Sequence, residues 1–161
     1  DDALDTFVAD IVDANTNASM TREEMLRAVY VYVRDHGLYK KGNLYSVGDT
    51  GWEIPDALIM FQKWKGNCYN FTAAFWSLAR GIGFDAVCYS GLVGVGRDPH
   101  SWVEITFDGV PYVFDVETEM SYRLVKDYIT SMYRKTYEEV AAWSYVRTPE
   151  EAAAAAPETA G

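Results

Sequence analysis

The chain is poor in the residues that usually declare a protein's chemistry. Only two cysteines, Cys68 and Cys88, occur among 161 residues. Two thiols make no disulfide framework and fit no zinc-ligand spacing. Only two histidines are present, His36 and His100, so imidazole chemistry has few places to sit. Basic residues number 14 against 24 acidic ones, a net charge of −10. That shortage argues against nucleic acid or an anionic membrane surface as the main partner, because phosphate binding needs clustered Lys and Arg. No apolar run approaches the ~20 residues that a membrane-crossing helix requires, so no transmembrane segment is expected.

What the chain does have is apolar and aromatic. Hydrophobic residues make up 49%, with 5 Trp, 12 Tyr and 7 Phe, the composition of a globular domain whose core needs no covalent staples. One domain is expected over residues 1–148. The run "TPEEAAAAAPETAG" that ends the sequence predicts a low-complexity tail or linker over 149–161. The opening Asp1-Asp2, without an initiator Met, is expected of a processed chain or an excised part of one.

Leu4, Phe7, Val8, Ile11 and Val12 recur at helical spacing. Thr21-Arg22-Glu23-Glu24 reads as a capping box opening a helix that runs to about His36, with Gly37 as a left-handed stop. Residues 42–51 read as loop, and Pro55 suits the first turn of a short helix reaching Lys63. Phe71, Ala74, Phe75 and Leu78 then mark a central helix that Gly81 and Gly83 end. From there the period becomes two. "DAVCYSGLVGV", "HSWVEITF" and "VPYVFDVE" read as strands, the last two joined by Asp108-Gly109, a strong hairpin signal. Helices followed by an antiparallel meander give an α+β fold, the central helix lying across the sheet. The stretch 122–146 mixes both periodicities.

Cys68 stands directly after Gly66-Asn67, at the start of the central helix. A thiol there could fill the core. It could also be a nucleophile, since unpaired amides and the positive end of the helix dipole favour a thiolate. His100 begins the next strand but one, and Asp115 lies beyond the Asp108-Gly109 turn. A bulge-free hairpin would set His100 opposite Glu117 and diagonal to Asp115, ~7–8 Å apart at the backbone and within reach for imidazole and carboxylate to bond. Cys68 as nucleophile, His100 as proton carrier and Asp115 as orienter would form a triad. The Cys68 amide would supply one oxyanion donor, with Trp52 and Gln62 as candidates for the second. Trp102, two residues on, should share the His100 face and shield the site.

"GNCYNFTAAFWSLARGIGFDAVCYSGLVG", "PHSWVEITFDG" and "YVFDVE" together resemble the transglutaminase-like superfamily, as a bacterial-type single-domain member. The pattern is Gly-x-Cys on a helix, His with a small residue and Trp on a strand, and Asp near the end of the next strand. Cys68, His100 and Asp115 match in that order, 32 and 15 positions apart. The resemblance covers roughly residues 52–117 and implies a papain-like fold and acyl transfer through a thioester. No cofactor or metal is expected. A peptide or protein substrate is expected, cell-wall-associated substrates included, in an extracellular or cell-surface setting with which the absent Met and the Ala-Pro tail agree.

Two rivals stand beside that reading: a catalytically inactive module that keeps the groove for binding, and a zinc site built from Cys68, His100 and Asp115. Blander readings cover the rest. Cys88 is expected to be an inert strand thiol, His36 a surface residue in a helix's last turn, and Glu104 part of a solvated face. Gly91, Gly94 and Gly96 are expected to form a flexible loop beside His100, a potential lid. The Asn17 and Asn70 sequons read as chance matches.

Overall fold

The computed structural model describes residues 1–126 and 131–154. Three helices lead: α1 (Asp2–Asn15), α2 (Arg22–His36) and α3 (Glu53–Lys63). Two short parallel strands, β1 (Leu38–Tyr39) and β2 (Lys65–Gly66), flank α3. The central helix α4 (Cys68–Ile82) feeds β3 (Val87–Val93), β4 (Asp98–Phe107) and β5 (Val110–Phe114). After them come α5 (Val116–Lys126), β6 (Lys135–Thr136), a 3-10 turn at Ala141–Trp143 and α6 (Pro149–Ala154). The main sheet is antiparallel with order β3-β4-β5-β6.

Local chemistry explains most of these boundaries. Thr21 Oγ1 accepts from the Glu24 amide at 3.1 Å while Glu24 reaches back to the Thr21 amide at 3.0 Å, the expected capping box. Pro55 sits in the first turn of α3, where its missing N–H costs nothing. At the β4–β5 hairpin, Asp108 and Gly109 have φ of 50° and 79° and Phe107 pairs with Val110. Those two positive φ values match the twist of the flanking strands.

Gly37 differs from its expected role. It ends α2 with φ −79° and ψ 144°, an extended and not a left-handed conformation. Its necessity is spatial: a Cβ there would lie 2.3 Å from the Phe71 ring and 2.5 Å from Met60 Cε. The chain leaves α2 pressed against the central helix.

α4 is the hub. Eleven of its fifteen residues are buried, as befits a helix enclosed on every side. Phe71, Ala74, Phe75 and Leu78 pack with Leu26, Val29 and Tyr30 of α2, with Met60 of α3, and with Val103, Ile105 and Phe114 of the sheet. Each large side chain so buried contributes roughly 1.5–3 kcal/mol. The opposite face of the sheet is covered too. Trp102 and Val113 pack there against Met132 and Val140, with Tyr137, Trp143 and Tyr145 around them. The sheet thus lies between α4 and the C-terminal segment. Val146 bridges to Leu92, and a Cβ on Gly91 would sit 2.1 Å from the Val146 carbonyl oxygen.

Within the expected tail, residues 149–154 form α6, tied down by Arg97 Nη2 donating to Ala152 O at 2.7 Å. Residues 155–161 lie outside the described residues, as do 127–130 of the stretch whose periodicity was mixed. No helix among the described residues is long and apolar enough to cross a membrane.

Candidate active site

The Gly66-Asn67-Cys68 sequence is built for a helix start. Asn67 is the N-cap of α4, its side-chain oxygen accepting from the amides of Tyr69 (3.1 Å) and Asn70 (3.4 Å). Asn70 Oδ1 returns to accept from the Asn67 amide at 3.0 Å. The Asn70 side chain can fold back only because residue 66 is glycine: a Cβ on Gly66 would lie 2.4 Å from Asn70 Cβ. Cys68 is the first helical residue and is buried. The cap leaves the Cys68 amide without an acceptor among the described residues, the condition for an oxyanion donor. Asn70, engaged and buried here, is no glycosylation acceptor.

His100 lies on β4, paired with Gly91 of β3. Its Nε2 donates to Asp115 Oδ2 at 2.7 Å, with His100 7% exposed and Asp115 fully buried. That bond commits Nε2 to the carboxylate, and the Cys68 side chain is near enough to act on the ring. Burial works against a charged imidazole, but the Asp115 carboxylate, its hydrogen bond and the Cys68 side chain outweigh it. The His100 pKa stands well above the usual imidazole range. Burial likewise works against the Asp115 charge, and is overcome by the His100 cation and by hydrogen bonds from His100, Tyr145 and Thr118, so its pKa falls below the usual carboxylate range. A raised imidazole pKa is the condition under which a neighbouring thiolate is favoured.

Asp115 is reached differently from the expected geometry. The β4–β5 register is as read from the turn, but pairing stops at Val103–Phe114. The chain then turns into α5, with Asp115 at its cap: Oδ1 accepts from the Thr118 amide at 3.3 Å. Glu117 is therefore not opposite His100 on a strand; it is in the first turn of α5. The overlooked signal was in the sequence. Asp-Val-Glu-Thr-Glu places a capping residue before an acidic first turn, a helix-start signature.

Three other side chains complete the surroundings. Tyr145 donates its hydroxyl to Asp115 Oδ2 at 2.6 Å. Thr118 Oγ1 donates to the same oxygen at 2.9 Å and lies 3.2 Å from His100 Nε2. Glu117 stands close by, its carboxyl pushed up to about 7 by burial, with His100 opposing and Asp115 adding to the shift. No spacing rule points to Tyr145, which is thirty residues from Asp115 in sequence. Trp102 stacks beside His100, ring centroids 6.3 Å apart, and its indole donates to Tyr137.

The candidates for the second oxyanion donor are not supported. The single N–H of Trp52 donates to Asp49 O at 3.0 Å, and its ring stacks on Tyr45. Gln62 is exposed on α3 and makes no hydrogen bond among the described residues. The glycine loop is no open lid: Gly91 is a strand residue paired with His100, and residues 94–97 are a tight hairpin turn. Glu104 is not simply solvated, since Arg147 Nη1 lies 3.3 Å from it. Burial pushes the Cys88 thiol well up, in keeping with an inert role. For a metal, the compact donor group is His100, Asp115 and Glu117, within 4.8 Å of one another. Cys68 is not part of it, and His100 and Asp115 already satisfy each other.

A helix-borne thiol presented to an imidazole–carboxylate pair on an antiparallel sheet defines a papain-like cysteine fold. The chain belongs to the transglutaminase-like superfamily, whose family model matches residues 7–115. A solved candidate cysteine protease from Cytophaga hutchinsonii shares the fold at TM-score 0.51 and 17% identity, over 91% of this chain and 47% of that one. A solved TGase matches at TM-score 0.49 and 17% identity, over 71% of this chain and 31% of that one. The chain thus spans less than half the length of either. No curated protein matches the sequence. Family and fold together support cysteine-based catalysis in general terms.

Proposed function

We propose that this protein transfers acyl groups from peptide or protein amide bonds through a thioester on Cys68. The observation that carries the reading is the buried 2.7 Å contact between His100 and Asp115, with Cys68 close enough for its side chain to act on the His100 ring. In this scheme the Cys68 sulfur attacks the amide carbonyl carbon while the Cys68 amide donates to the developing oxyanion. Collapse breaks the C–N bond, and the amine leaves with the proton that His100 holds. Water or a second amine, deprotonated by His100, then attacks the thioester and returns the thiol. Water as acceptor gives hydrolysis and an amine gives crosslinking. An extracellular or cell-surface substrate is part of this reading and rests on the family resemblance.

The test needs no known substrate. Iodoacetamide should label Cys68 rapidly between pH 6 and 7 and Cys88 slowly, with peptide mass spectrometry distinguishing them. His100→Ala should slow Cys68 labelling at least tenfold. Equal, slow labelling of both thiols would defeat the proposal, and would favour a non-catalytic binding module.

A further inference from the structure

The chain has only six lysines, and four of them, Lys40, Lys41, Lys63 and Lys65, line one cavity of about 170 Å³. None of the four enters an ion pair among the described residues. Five of the eight arginines behave otherwise: Arg34, Arg80, Arg123, Arg134 and Arg147 face carboxylates. All four lysines are exposed, and in a protein of net charge −10 they form a local positive patch that attracts an anionic group.

The one carboxylate in the cavity wall, Asp56, makes no ion pair with these lysines. Asp56 is buried, its Oδ2 accepts from Tyr45 at 2.9 Å, and burial pushes its carboxyl up. Asn67 and Asn70, also buried, face the same cavity. Its volume is below the ~300–1,000 Å³ of whole-ligand sites, so it suits one charged group of a longer molecule.

Two walls join this cavity to the catalytic centre. Gly66 and Asn67 line it, and Cys68 is the next residue, ~3.8 Å further along the backbone. Lys40 lines it, and its neighbour Tyr39 feels the charges of Glu117, Cys68 and His100. The Lys40 amide donates to Gly66 O at 2.8 Å, binding the two walls together. A peptide whose amide lies at Cys68 therefore passes the lysines within a few residues.

We infer that the cavity lined by Lys40, Lys41, Lys63 and Lys65 is a substrate subsite for an acidic side chain of the peptide, close to the amide attacked by Cys68. This deepens the proposed reaction and rests on it. With the whole protein at net charge −10, a local cluster of lysines gives an acidic peptide direction as well as affinity.

The experiment uses Cys68→Ala protein, which cannot turn over, and two fluorescein-labelled decapeptides identical except that four Glu in one are Gln in the other. Fluorescence anisotropy at 50 mM NaCl should show the Glu peptide binding roughly 5-fold or more tightly, since each exposed charge pair is worth up to about 5-fold. The preference should vanish in Lys40→Gln/Lys63→Gln and shrink at 500 mM NaCl, where screening is shorter-ranged. Equal binding of the two peptides, or a preference that survives the double substitution, would overturn the inference. Tighter binding of poly(glycerol phosphate) than of the Glu peptide would overturn the peptide as occupant. Iodoacetamide labelling of the wild-type protein is independent of these lysines: rapid labelling without charge preference sinks the subsite alone, and charge preference with slow labelling sinks the reaction alone. Unchanged thermal melting checks that the double variant is folded.

Discussion

Replacing Asp115 by Asn probes the centre of the mechanism with little change of shape. Oδ2 of Asp115 receives three donors, from His100 at 2.7 Å, Tyr145 at 2.6 Å and Thr118 at 2.9 Å, while Oδ1 receives the Thr118 amide at 3.3 Å. A carboxamide satisfies this set best with its oxygen in the Oδ2 position, because the alternative aims its NH₂ at three donors. The three Oδ2 contacts are then kept, while the charge and the long bond from the Thr118 amide are lost. A hydrogen bond to a charged group is worth about 1.5–3 kcal/mol and a neutral one about 0.5–1.5, so the imidazolium loses roughly 1–1.5 kcal/mol, or about one pKa unit. Burial, no longer opposed by the carboxylate, pushes His100 further down. The assay is the rate of iodoacetamide labelling of Cys68 from pH 5 to 9.5. Wild type should label fast at pH 6–7, and Asp115→Asn should label at least about tenfold more slowly there.

The signs of the stability change follow as well. Asp115, with a lowered pKa, stabilises the fold above about pH 3.9, an advantage lost as pH falls through its folded value. His100, with a raised pKa, stabilises below about pH 6.5, an advantage lost as pH rises through its folded value. The wild-type advantage over Asp115→Asn should therefore be largest between about pH 4 and 6.5. Labelling profiles that agree within twofold across the whole range would refute the reasoning.

Tyr145→Phe removes one charge-assisted donor but keeps the ring 4.7 Å from that of Trp102; labelling at pH 7 should fall about 3–10-fold with the alkaline limb moved down, whereas a purely structural role would lower the melting temperature and leave the profile in place. Gly66→Ala drives Asn70 from its cap, so urea unfolding should show a loss of at least about 1 kcal/mol, accompanied by slower Cys68 labelling. Glu117→Gln removes a carboxyl held near 7; because that group's raised pKa makes its charged form unfavourable, the variant should be more stable than wild type at pH 8 by roughly 1–3 kcal/mol and equal to it below about pH 4.5, by denaturant titration.

The elements that sequence revealed are those whose signals are local. The Thr21–Glu24 box, the Asp108-Gly109 turn and the 3-4 period of α4 depend on residues a few positions apart, and all three stand where they were read. Asp115 was located without its setting: alternation carried the strand reading three residues past Phe114, although the capping residue and acidic turn were there to be weighed against it. Gly37 was assigned to backbone conformation when the constraint was the Phe71 ring, which only packing reveals. The case for Trp52 as second oxyanion donor weakens for a similar reason, since an indole N–H looks free in a sequence and this one donates to Asp49. Tyr145 was beyond reach, because nothing in its neighbours says which carboxylate it meets.

The family model stops at Asp115, yet the environment of that carboxylate is made by what comes after it. Thr118, Met132, whose carbonyl receives the Asp115 amide, and Tyr145 all lie downstream. The stretch that the family model matches and the stretch that holds Asp115 in place are thus different lengths. Trimming this protein at that boundary would leave Cys68, His100 and Asp115 in place and strip away the anchorage that fixes one of them.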